Sequence, residues 1–552
     1  MLSVRHSRRF LLPVVALAAT LGMVTAACGG GGDDGGGTST SAEDEGDPQP
    51  GGEVVMGLEA ETTGGYCLPT AQLAISGIQV ANAVYDTLTV PTADGGYEPH
   101  LAESVESNND FTQWTVTLRP DITFHNGEPL DAEALKANLD AWKAGILLSQ
   151  VLADMGEVTV VDDLTVQIAT DVPWASLPAT LYLNGRGGIA APEQISEIDS
   201  EACDTQPIGT GPFMCEPGCW EINRQFVATK NPDYWATDDA GNQLPYLNQI
   251  TFVPITEADQ RVNALQQGRI DLMHTSDADA TIRLEQLADQ GQAKVLIEEP
   301  GVREVRNYIM NTAAAPFDNP KAREALTLAL DFDEIIQVTE ANRVDRAVSP
   351  FDVDVPGYTE DPGFPEFDPE AAQVLVDEVI EEEGSFDVVL GTTPDPANTQ
   401  EAELIQQQLE EAGINASIAQ TEQSAFISEV LAGSFSVALW RNLHSDPLYP
   451  DAGTHAWFKS GNLINFAAYD DPEIDQLLAE GRATDDTAEI ERIYTELSEK
   501  FAQELYYIWG WYIDWTIGAK TNVNGLTGPT LPDGEEWLFL YGRVPTAGLW
   551  VS

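Results

Sequence analysis

A glycine-rich stretch directly after Cys28 limits what this chain can fold into, because no packed core accommodates such a run. Residues 29–41 consist only of Gly, Asp, Thr and Ser, a composition that forms a flexible tether. Ahead of it, three arginines precede a mostly apolar run at 10–24, which is too short to span a bilayer as a helix. This arrangement is typical of an export signal. We therefore predict a signal peptide at 1–27, a tether at 28–52 and a globular body beyond it.

Cys28 stands where the export signal ends, and a cysteine at this point followed by a tether resembles a bacterial lipoprotein. The resemblance implies that the thiol of Cys28 receives the lipid. It also implies that the protein is exported and anchored to the outer face of the cytoplasmic membrane. The lipoprotein pattern prefers Leu three residues before the cysteine, where this chain has Thr25. The alternative is a signal peptide that is cut nearby, with Cys28 an incidental thiol.

The globular body, at about 500 residues, is too long for one core and predicts two or three domains. The chain is 43% hydrophobic and contains 12 Trp, 15 Tyr and 18 Phe, so it can bury large cores. After the export signal, no apolar run reaches the length of about 18 residues that a membrane span needs. We therefore expect no membrane-spanning helix in the body.

The formal net charge is −64, from 90 acidic and 26 basic residues. Such a surface repels nucleic acid, because phosphate binding requires clustered Lys and Arg. It attracts cationic solutes and repels itself, and dissolved salt screens that repulsion. We therefore expect no nucleic-acid partner and a protein that works in a salty exterior. A simply acidic extracellular protein is the alternative.

Four cysteines lie in the body, and in an exported chain they indicate up to two disulfides. They are Cys67, Cys203, Cys215 and Cys219. Three pairings are possible, and the sequence does not choose between them. A Glu-Pro-Gly turn between the last two cysteines would bring them together. A metal site is the weaker alternative because the chain contains only six His, and we expect no metal and no cofactor.

Strands and helices alternate in the second half of the chain. A buried strand is predicted at 385–391, a helix at 401–413 with one apolar face and a terminal glycine, and further strands at 414–418 and 436–440. This alternation predicts parallel strands with helices on the faces of the sheet. The body itself begins with a buried strand at 54–58.

The sequence contains no convincing catalytic signature. It has neither the His-Glu-x-x-His pattern nor a Gly-x-Ser-x-Gly nucleophile elbow. The stretch Gly-Thr-Gly-Pro at 209–212 lacks the lysine of a phosphate-binding loop, and its proline removes a backbone donor. Paired carboxylates are frequent in so acidic a chain, so no pair is diagnostic. We expect no catalytic residue and no enzymatic activity.

Four blocks of sequence carry a family resemblance over nearly the whole body. They lie at 85–88 with 99–104, at 118–130, at 207–213 with 231–235 and 268–271, and at 316–326. In this order and at these separations they resemble bacterial extracellular solute-binding proteins of family 5. These proteins serve ABC importers of the dipeptide, oligopeptide and nickel class.

We expect structural rather than ligand-binding roles for the most recognisable residues of these blocks. Gly209 and Gly211 are expected to supply unusual backbone angles in a turn. Phe124, Tyr234 and Trp235 are expected to pack in a core or between domains.

The resemblance implies an α/β fold of the type II periplasmic-binding-protein class, with two lobes joined by a hinge and an extra accessory domain. Lobe I would comprise 53–85, 205–294 and 510–552, the accessory domain 86–204, and lobe II 295–509. It further implies a monomer that closes on a small-molecule solute and delivers it to the subunits of an ABC permease.

Ligand-binding residues are also implied by the resemblance. Trp440, Arg441, Asn442 and Leu443 match a stretch that ends a lobe II strand and faces the cleft. Peptide-binding members place an Asp three residues after the Trp, where it pairs with the free amino terminus, and this chain has Leu443 there. Arg441 offers a planar cation that suits a carboxylate or phosphate. The alternative is that Arg441 points to solvent or pairs with a local acid.

Further cleft residues are expected by the same resemblance in the stretches after the first strand and near position 423. The candidates are Tyr66, Leu73, Ala74, Ile75, Gln423 and Phe426, with Asn465 and Tyr469 as weaker ones. Asp446 is expected to form a turn.

The solute class implied is small and polar, with peptides and peptide-like molecules leading. N-blocked peptides, opine-like conjugates, oligosaccharides and metal chelates remain open because of Leu443. Two functions from other classes also remain open, a secreted acidic hydrolase and a surface receptor without a role in transport.

Overall fold

A computed structural model describes residues 46–552, except 63, 94, 146, 199, 445, 447, 532–533, 535 and 539–540. The expected signal peptide, Cys28 and most of the expected tether lie outside the described residues. Within the described part of the chain, no helix has the length and apolar character that crossing a membrane requires.

The first part of the described chain forms β1, α1 and a small domain. The elements are β1 (Glu53–Leu58), α1 (Ile75–Val84), β2 (Thr89–Pro91), β3 (Tyr97–Pro99), β4 (Ala102–Ser107), β5 (Gln113–Leu118), α2 (Ala132–Ala144), α3 (Leu148–Val151), β6 (Met155–Asp162), β7 (Thr165–Thr170), α4 (Leu177–Tyr182), α5 (Pro192–Ser196) and α6 (Glu201–Thr205). Strands β4-β5-β7-β6 make an antiparallel sheet in that order. This sheet and α2 enclose a hydrophobic core of their own, around Trp142 and Trp174.

An eight-stranded sheet forms lobe I. Its further elements are β8 (Phe213–Met214), β9 (Trp220–Glu221), β10 (Gln225–Lys230), β11 (Gln249–Pro254), α7 (Ala258–Gln266), β12 (Leu272–Thr275), α8 (Ala278–Asp289) and β13 (Lys294–Ile297). The strand order is β13-β19-β12-β1-β11-β10-β8, and the eighth strand, β9, pairs with β10 outside this order. Strand β19 (Thr516–Ala519) comes from the end of the chain. Strand β1 is parallel to both β11 and β12, whereas β19 is antiparallel to β12.

A five-stranded sheet forms lobe II. Its elements are β14 (Glu304–Met310), α9 (Pro320–Leu328), α10 (Phe332–Thr339), α11 (Pro369–Glu383), β15 (Asp387–Thr392), α12 (Pro396–Glu411), β16 (Asn415–Gln420), α13 (Gln423–Leu431), β17 (Val437–His444), α14 (Pro450–Phe458), α15 (Pro472–Arg482), α16 (Thr487–Glu504) and β18 (Tyr507–Ile513). The order is β16-β15-β17-β14-β18, with β15 parallel to its two neighbours. The predicted α/β fold with parallel strands is therefore confirmed.

Local signals explain where the lobe II elements begin and end. Helix α12 begins before the predicted position because Asp395 caps it, accepting a hydrogen bond from the backbone N–H of Asn398. It ends as predicted before Gly413, which has φ of 89°. All seven residues of β14 and of β18 are buried, and the second of these is the aromatic-rich run near 507–513.

The chain crosses between the two sheets twice. It leaves lobe I after β13 and joins lobe II at β14, and it returns from β18 to β19. The backbone N–H of Glu298 donates to the carbonyl of Trp515 at 2.8 Å, so the two crossings run side by side. The change of sheet comes a few residues later than the expected boundaries at 294 and 509, which fall inside β13 and β18. The chain ends with the short pair β20 (Val523–Asn524) and β21 (Trp550–Val551).

The family blocks meet around one buried carboxylate. Asp86 accepts hydrogen bonds from Thr210 Oγ1 at 3.1 Å, Tyr234 Oη at 3.1 Å and Trp235 Nε1 at 3.0 Å. Tyr234 is buried, and it is a packing residue as expected, as is Phe124. These contacts explain why residues of the first and third blocks occur together.

The expectation for Gly209 and Gly211 was wrong in its physical reason. Neither has a positive φ. A Cβ on Gly209 would lie 2.2 Å from the carbonyl oxygen of Val84, and one on Gly211 would lie 2.5 Å from the carbonyl carbon of the same residue. Glycine is required here because two backbone segments approach closely, not because of an unusual backbone angle.

Both disulfides form, and the structure selects one of the three pairings. Cys67 is bonded to Cys203, and Cys215 to Cys219. The first bond ties the segment after β1 to helix α6. The second closes the predicted turn.

Candidate ligand-binding cleft

Arg441 lies within β17 of lobe II, and its side chain contacts residues of lobe I. Its guanidinium donates to the carboxylate of Glu59 and, at 3.0 Å, to Ser276 Oγ. It also lies over the ring of Trp515, 5.3 Å from the ring centroid. One alternative expectation was that Arg441 pairs with a local acid. Arg441 does pair with an acid, but that acid, Glu59, belongs to the other lobe.

The three groups around Arg441 meet because of the topology of lobe I. Glu59 directly follows β1, Ser276 directly follows β12, and Trp515 directly precedes β19. Strands β1 and β12 are parallel neighbours, and β19 is antiparallel to β12. All three residues therefore lie at the end of the sheet where β1 and β12 have their carboxyl ends. Open α/β sheets bind their ligands at the carboxyl ends of parallel strands, and Glu59, Ser276 and Trp515 lie at those ends.

A fully buried histidine, His274, holds the backbone of Glu59 in place. His274 Nε2 accepts the backbone N–H of Glu59 at 3.1 Å, and Nδ1 lies 3.1 Å from the carbonyl oxygen of Gly542. This pattern requires a neutral ring with its proton on Nδ1. Burial lowers the pKa of His274 to about 4, which keeps the ring neutral at physiological pH.

Glu59 and Arg441 are both ionised. Burial raises the pKa of Glu59, but the nearby charges of Arg441 and Arg261 bring it below its ordinary value. Burial lowers the pKa of Arg441, but Glu59 and then Glu304 more than offset this effect. The two residues therefore form a charged pair between the lobes.

A second ion pair joins the lobes beside the first. Arg343, which follows α10 of lobe II, makes two hydrogen bonds of 2.9 Å with the carboxylate of Glu285 on α8 of lobe I. Both side chains are partly exposed, so salt screens this pair more than the Arg441 pair.

Further charged groups lie between the lobes and the accessory domain. Arg186 donates from Nε and Nη2 to the carbonyl of Leu73, and burial lowers its pKa to about 10. Glu298, at the crossing between lobes, accepts the backbone N–H of Tyr541, and burial raises its pKa well above the ordinary value. Arg186 remains a cation at neutral pH, and burial favours the protonated form of Glu298.

The other candidates on β17 are Trp440, Asn442 and Leu443. Trp440 packs between Phe426 and Phe466, with ring centroids 5.5 and 5.4 Å away. Its Nε1 has no hydrogen-bond partner among the described residues. Leu443 is buried in the lobe II core and brings no charge to the cleft. Asn442 belongs to β17, and its side chain lies outside the described part of the structure.

The candidates after the first strand lie at the start of α1 and beside it. Tyr66 is buried edge-on against Trp220 and Phe226, in the core of lobe I. Leu73 is buried and contributes its carbonyl to Arg186.

The next two residues begin the helix itself. Ala74 is half-buried at the helix N-cap, and Ile75 is the buried first residue of α1. Both therefore lie beside the carbonyl that Arg186 contacts.

The remaining candidates lie in lobe II. Gln423 is half-buried at the start of α13. Asn465 donates to the carbonyl of Tyr469 at 3.2 Å, and Tyr469 donates to the carbonyl of Phe458 at 2.7 Å while stacking on Tyr506. Asn465 and Tyr469 therefore stabilise a loop of lobe II.

Asp446 forms the expected turn and a further contact. Its Oδ1 accepts the backbone N–H groups of Leu448 and Tyr449, at 3.1 and 2.7 Å. Its Oδ2 accepts the hydroxyl of Tyr97 from the accessory domain at 2.5 Å. Burial raises the pKa of Asp446 to about 6.

Four residues of this cleft were not among the sequence candidates, namely Glu59, Ser276, Trp515 and Arg186. A signal existed for Glu59, because a charged residue immediately after the first buried strand is a typical ligand-contacting position. Among the described residues, no group of three His, Cys, Asp or Glu side chains is placed to hold a metal ion.

Comparison with known proteins gives a consistent result. The model of the bacterial extracellular solute-binding proteins, family 5 Middle, matches residues 96–465. The nickel-binding periplasmic protein of Escherichia coli (strain K12) is 26% identical over 486 residues, covering 82% of this chain and 88% of the relative. The glutathione-binding protein GsiB of Pectobacterium atrosepticum is 26% identical over 415 residues, covering 72% of this chain and 77% of the relative.

A solved structure shows the same fold. The periplasmic binding protein AgaA of Agrobacterium tumefaciens R10, in complex with agropinic acid, superposes with a TM-score of 0.80 at 21% identity. The superposition covers 91% of this chain and 99% of that protein. The expected type II two-lobed fold is therefore confirmed.

Proposed function

This chain belongs to the bacterial extracellular solute-binding proteins of family 5, and we propose that it captures a small, polar, peptide-like solute between its lobes. It is an extracytoplasmic solute-binding protein of an ABC importer. Its family consists of binding proteins, and we propose that the solute is released to the permease chemically unchanged.

The observation that carries this proposal is the contact of Arg441 with Glu59. One residue belongs to lobe II and the other to lobe I, so the cleft between the sheets is lined by opposite charges from both sides. Two side-by-side crossings allow the lobes to move as a hinge. A solute that contacts both lobes stabilises the closed form, because those contacts exist only there.

Peptide-like solutes fit this cleft best because it presents a cation and an anion at short range. The buried Leu443 cannot pair with an amino group, so a free amino terminus would need a counter-charge from elsewhere, and Glu59 provides one. The relatives described above bind glutathione, nickel and, in one structure, agropinic acid. N-blocked peptides, opine-like conjugates, oligosaccharides and metal chelates are the alternative solutes.

We further propose the arrangement of the full protein. The chain would be exported, lipidated at Cys28 and anchored to the outer face of the cytoplasmic membrane, where it would act as a monomer that meets the permease subunits. The division would be lobe I, an accessory domain at 86–204 and lobe II, with the lobe boundaries at the two crossings.

A thermal-shift screen tests the proposal. Di- to hexapeptides, N-acetylated peptides, opines, oligosaccharides and metal chelates would each be added to the purified protein. A solute at one hundred times its dissociation constant stabilises the folded state by about 2.7 kcal/mol, which a melting curve detects. Chromatography of the recovered solute separates a binding protein from a hydrolase, because only the hydrolase alters it. A screen without any stabilising solute would contradict the proposal.

A further inference from the structure

Lobe I builds a pocket for a cation, and Arg441 of lobe II fills it. We name this pocket the cation seat and define it as Glu59, Ser276 and Trp515. Around one guanidinium it provides a carboxylate, a hydroxyl at 3.0 Å and an aromatic face at 5.3 Å. These are the three kinds of group that bind guanidinium and ammonium ions in proteins.

The cation seat is complete without any group from lobe II. Its three residues belong to the ends of adjacent strands in one sheet. Trp515 is fully buried, and the backbone of Glu59 is fixed by its hydrogen bond to His274. The seat therefore keeps its shape when the lobes separate, and it is preorganised for a cation other than Arg441.

Opening of the cleft removes the occupant of the seat. Arg441 is on β17 of lobe II, so movement of that lobe away from lobe I withdraws its guanidinium from Glu59. Glu59 and Arg441 then no longer pair with each other, and only the more distant charges of Arg261 and Glu304 remain near them. When the lobes close again over a solute, a charge left without a counter-charge is strongly unfavourable.

We infer that the solute carries a cationic group, ammonium or guanidinium, that occupies the cation seat in place of Arg441, and an anionic group that pairs with the displaced Arg441. A solute with only an anionic group would take Arg441 from Glu59 and give Glu59 no cation in exchange. A solute with only a cationic group would take Glu59 from Arg441 and give Arg441 no anion in exchange. A molecule with both groups replaces one ion pair by two.

This inference rests on the proposed function and adds the charge pattern of its solute. The counter-charge for the cationic group comes from lobe I, at Glu59, and not from the position three residues after Trp440. In the unliganded protein Arg441 acts as an internal competitor for the same seat.

Chemical rescue tests the cation seat without knowledge of the natural solute. In an Arg441→Ala variant the seat is vacated, and methylguanidinium chloride is added in place of an equal concentration of NaCl. We expect methylguanidinium to raise the melting temperature of Arg441→Ala relative to NaCl. We expect no such rise for the wild type or for the double variant Arg441→Ala/Glu59→Gln. An equal response of all three proteins would overturn the inference.

A second measurement tests the charge pattern with peptides. A pool of dipeptides is compared with its N-acetylated and its C-amidated forms by calorimetric titration. We expect the unmodified form to bind at least about tenfold more tightly than either blocked form, since each blocked form leaves one buried charge unpaired. Glu59→Gln should remove the preference over the N-acetylated form, and Arg441→Gln the preference over the amide. The control Glu103→Gln, which changes an exposed acid of the accessory domain, should keep both preferences.

The two kinds of failure are distinguishable. Equal binding of all three peptide forms would overturn the cation seat and leave the proposed function in place. Absence of binding in this titration and in the wider screen would overturn the proposed function, and the rescue measurement then tests the seat alone. Ser276 provides a further check. In the Arg441→Ala background, adding Ser276→Ala should weaken the rescue by methylguanidinium without removing the charge of Glu59.

Discussion

Arg441 and Glu59 are 382 residues apart in sequence, and they form an ion pair that joins the two sheets of the protein. Arg441 is the fifth of the eight residues of β17, and Glu59 directly follows β1 at the carboxyl end of that strand. Because the pair joins the lobes, removal of either charge should change the position of lobe II relative to lobe I. The pair also places the two groups where a solute between the lobes would meet them.

Loss of this pair should open the unliganded protein. In Glu59→Gln this ion pair is lost, and the second ion pair between lobe I and lobe II, Arg343–Glu285, is partly exposed and screened by salt. We expect a larger radius of gyration for Glu59→Gln than for the wild type in small-angle X-ray scattering at physiological salt. Glu103→Gln should scatter like the wild type. Identical curves for all three proteins would show that the pair does not hold the lobes together.

Acid should destabilise the protein through His274. Its pKa is about 4 in the folded state, below the ordinary value of 6.5, so the unfolded chain binds its proton first. The stability that the neutral ring provides is complete above pH 6.5 and is lost as the pH falls from 6.5 to about 4. The loss is about 3 kcal/mol at 1.36 kcal/mol per unit. Urea unfolding between pH 7 and pH 4 should therefore show a shallower decline for His274→Gln than for the wild type. Parallel curves would contradict this role.

Arg482 should be one of the most sensitive charged residues in the chain. It is buried and pairs with Asp451 of lobe II and Asp154 of the accessory domain, and its guanidinium lies 4.2 Å from the ring centroid of Trp174. Arg482→Leu removes this cation from the buried Asp451 and the partly buried Asp154, and it should lower the free energy of unfolding by about 3–5 kcal/mol. Arg492→Leu, which removes an exposed cation, is the matched control.

The control should cost less than about 1 kcal/mol, because exposed ion pairs contribute little. Both free energies come from chemical denaturation monitored by tryptophan fluorescence. Similar losses for the two variants would mean that the buried cluster does not stabilise the contact between accessory domain and lobe II.

Salt should stabilise the whole protein. At a net charge of −64 the folded state repels itself, and dissolved ions screen that repulsion. We expect the melting temperature to rise from low ionic strength to molar NaCl. Replacing NaCl by KCl at equal concentration provides the control for a specific ion effect. A flat or falling series would refute the expectation of a protein adapted to a salty exterior.

Much of the fold could be predicted from the sequence because its signals are local or follow the order of the four blocks that resemble a known family. The alternation of strands and helices at 385–440 identifies the parallel part of lobe II, and Gly413 ends α12 as expected. The prediction failed where a distant segment decides the local structure. Gly209 is a glycine because of the approach of Val84, which no local pattern indicates.

Less of the candidate cleft could be predicted. Arg441 was identified through the resemblance of the stretch 440–443 to the family, whereas its partners Glu59, Ser276 and Trp515 come from three distant segments that only the sheet topology brings together. The chain contains 90 acidic residues, so composition gave no reason to single out Glu59. Tyr66 and Tyr469, selected through the same resemblance, lie in the cores of their lobes.

A crystal structure of the protein with the best solute from the thermal-shift screen tests the central claim most directly. We predict an intact molecule between the two sheets, with its cationic group at Glu59 and its anionic group at Arg441. A solute bound outside the cleft, a cleaved solute, or an unbroken contact between Arg441 and Glu59 beside a bound solute would contradict the account.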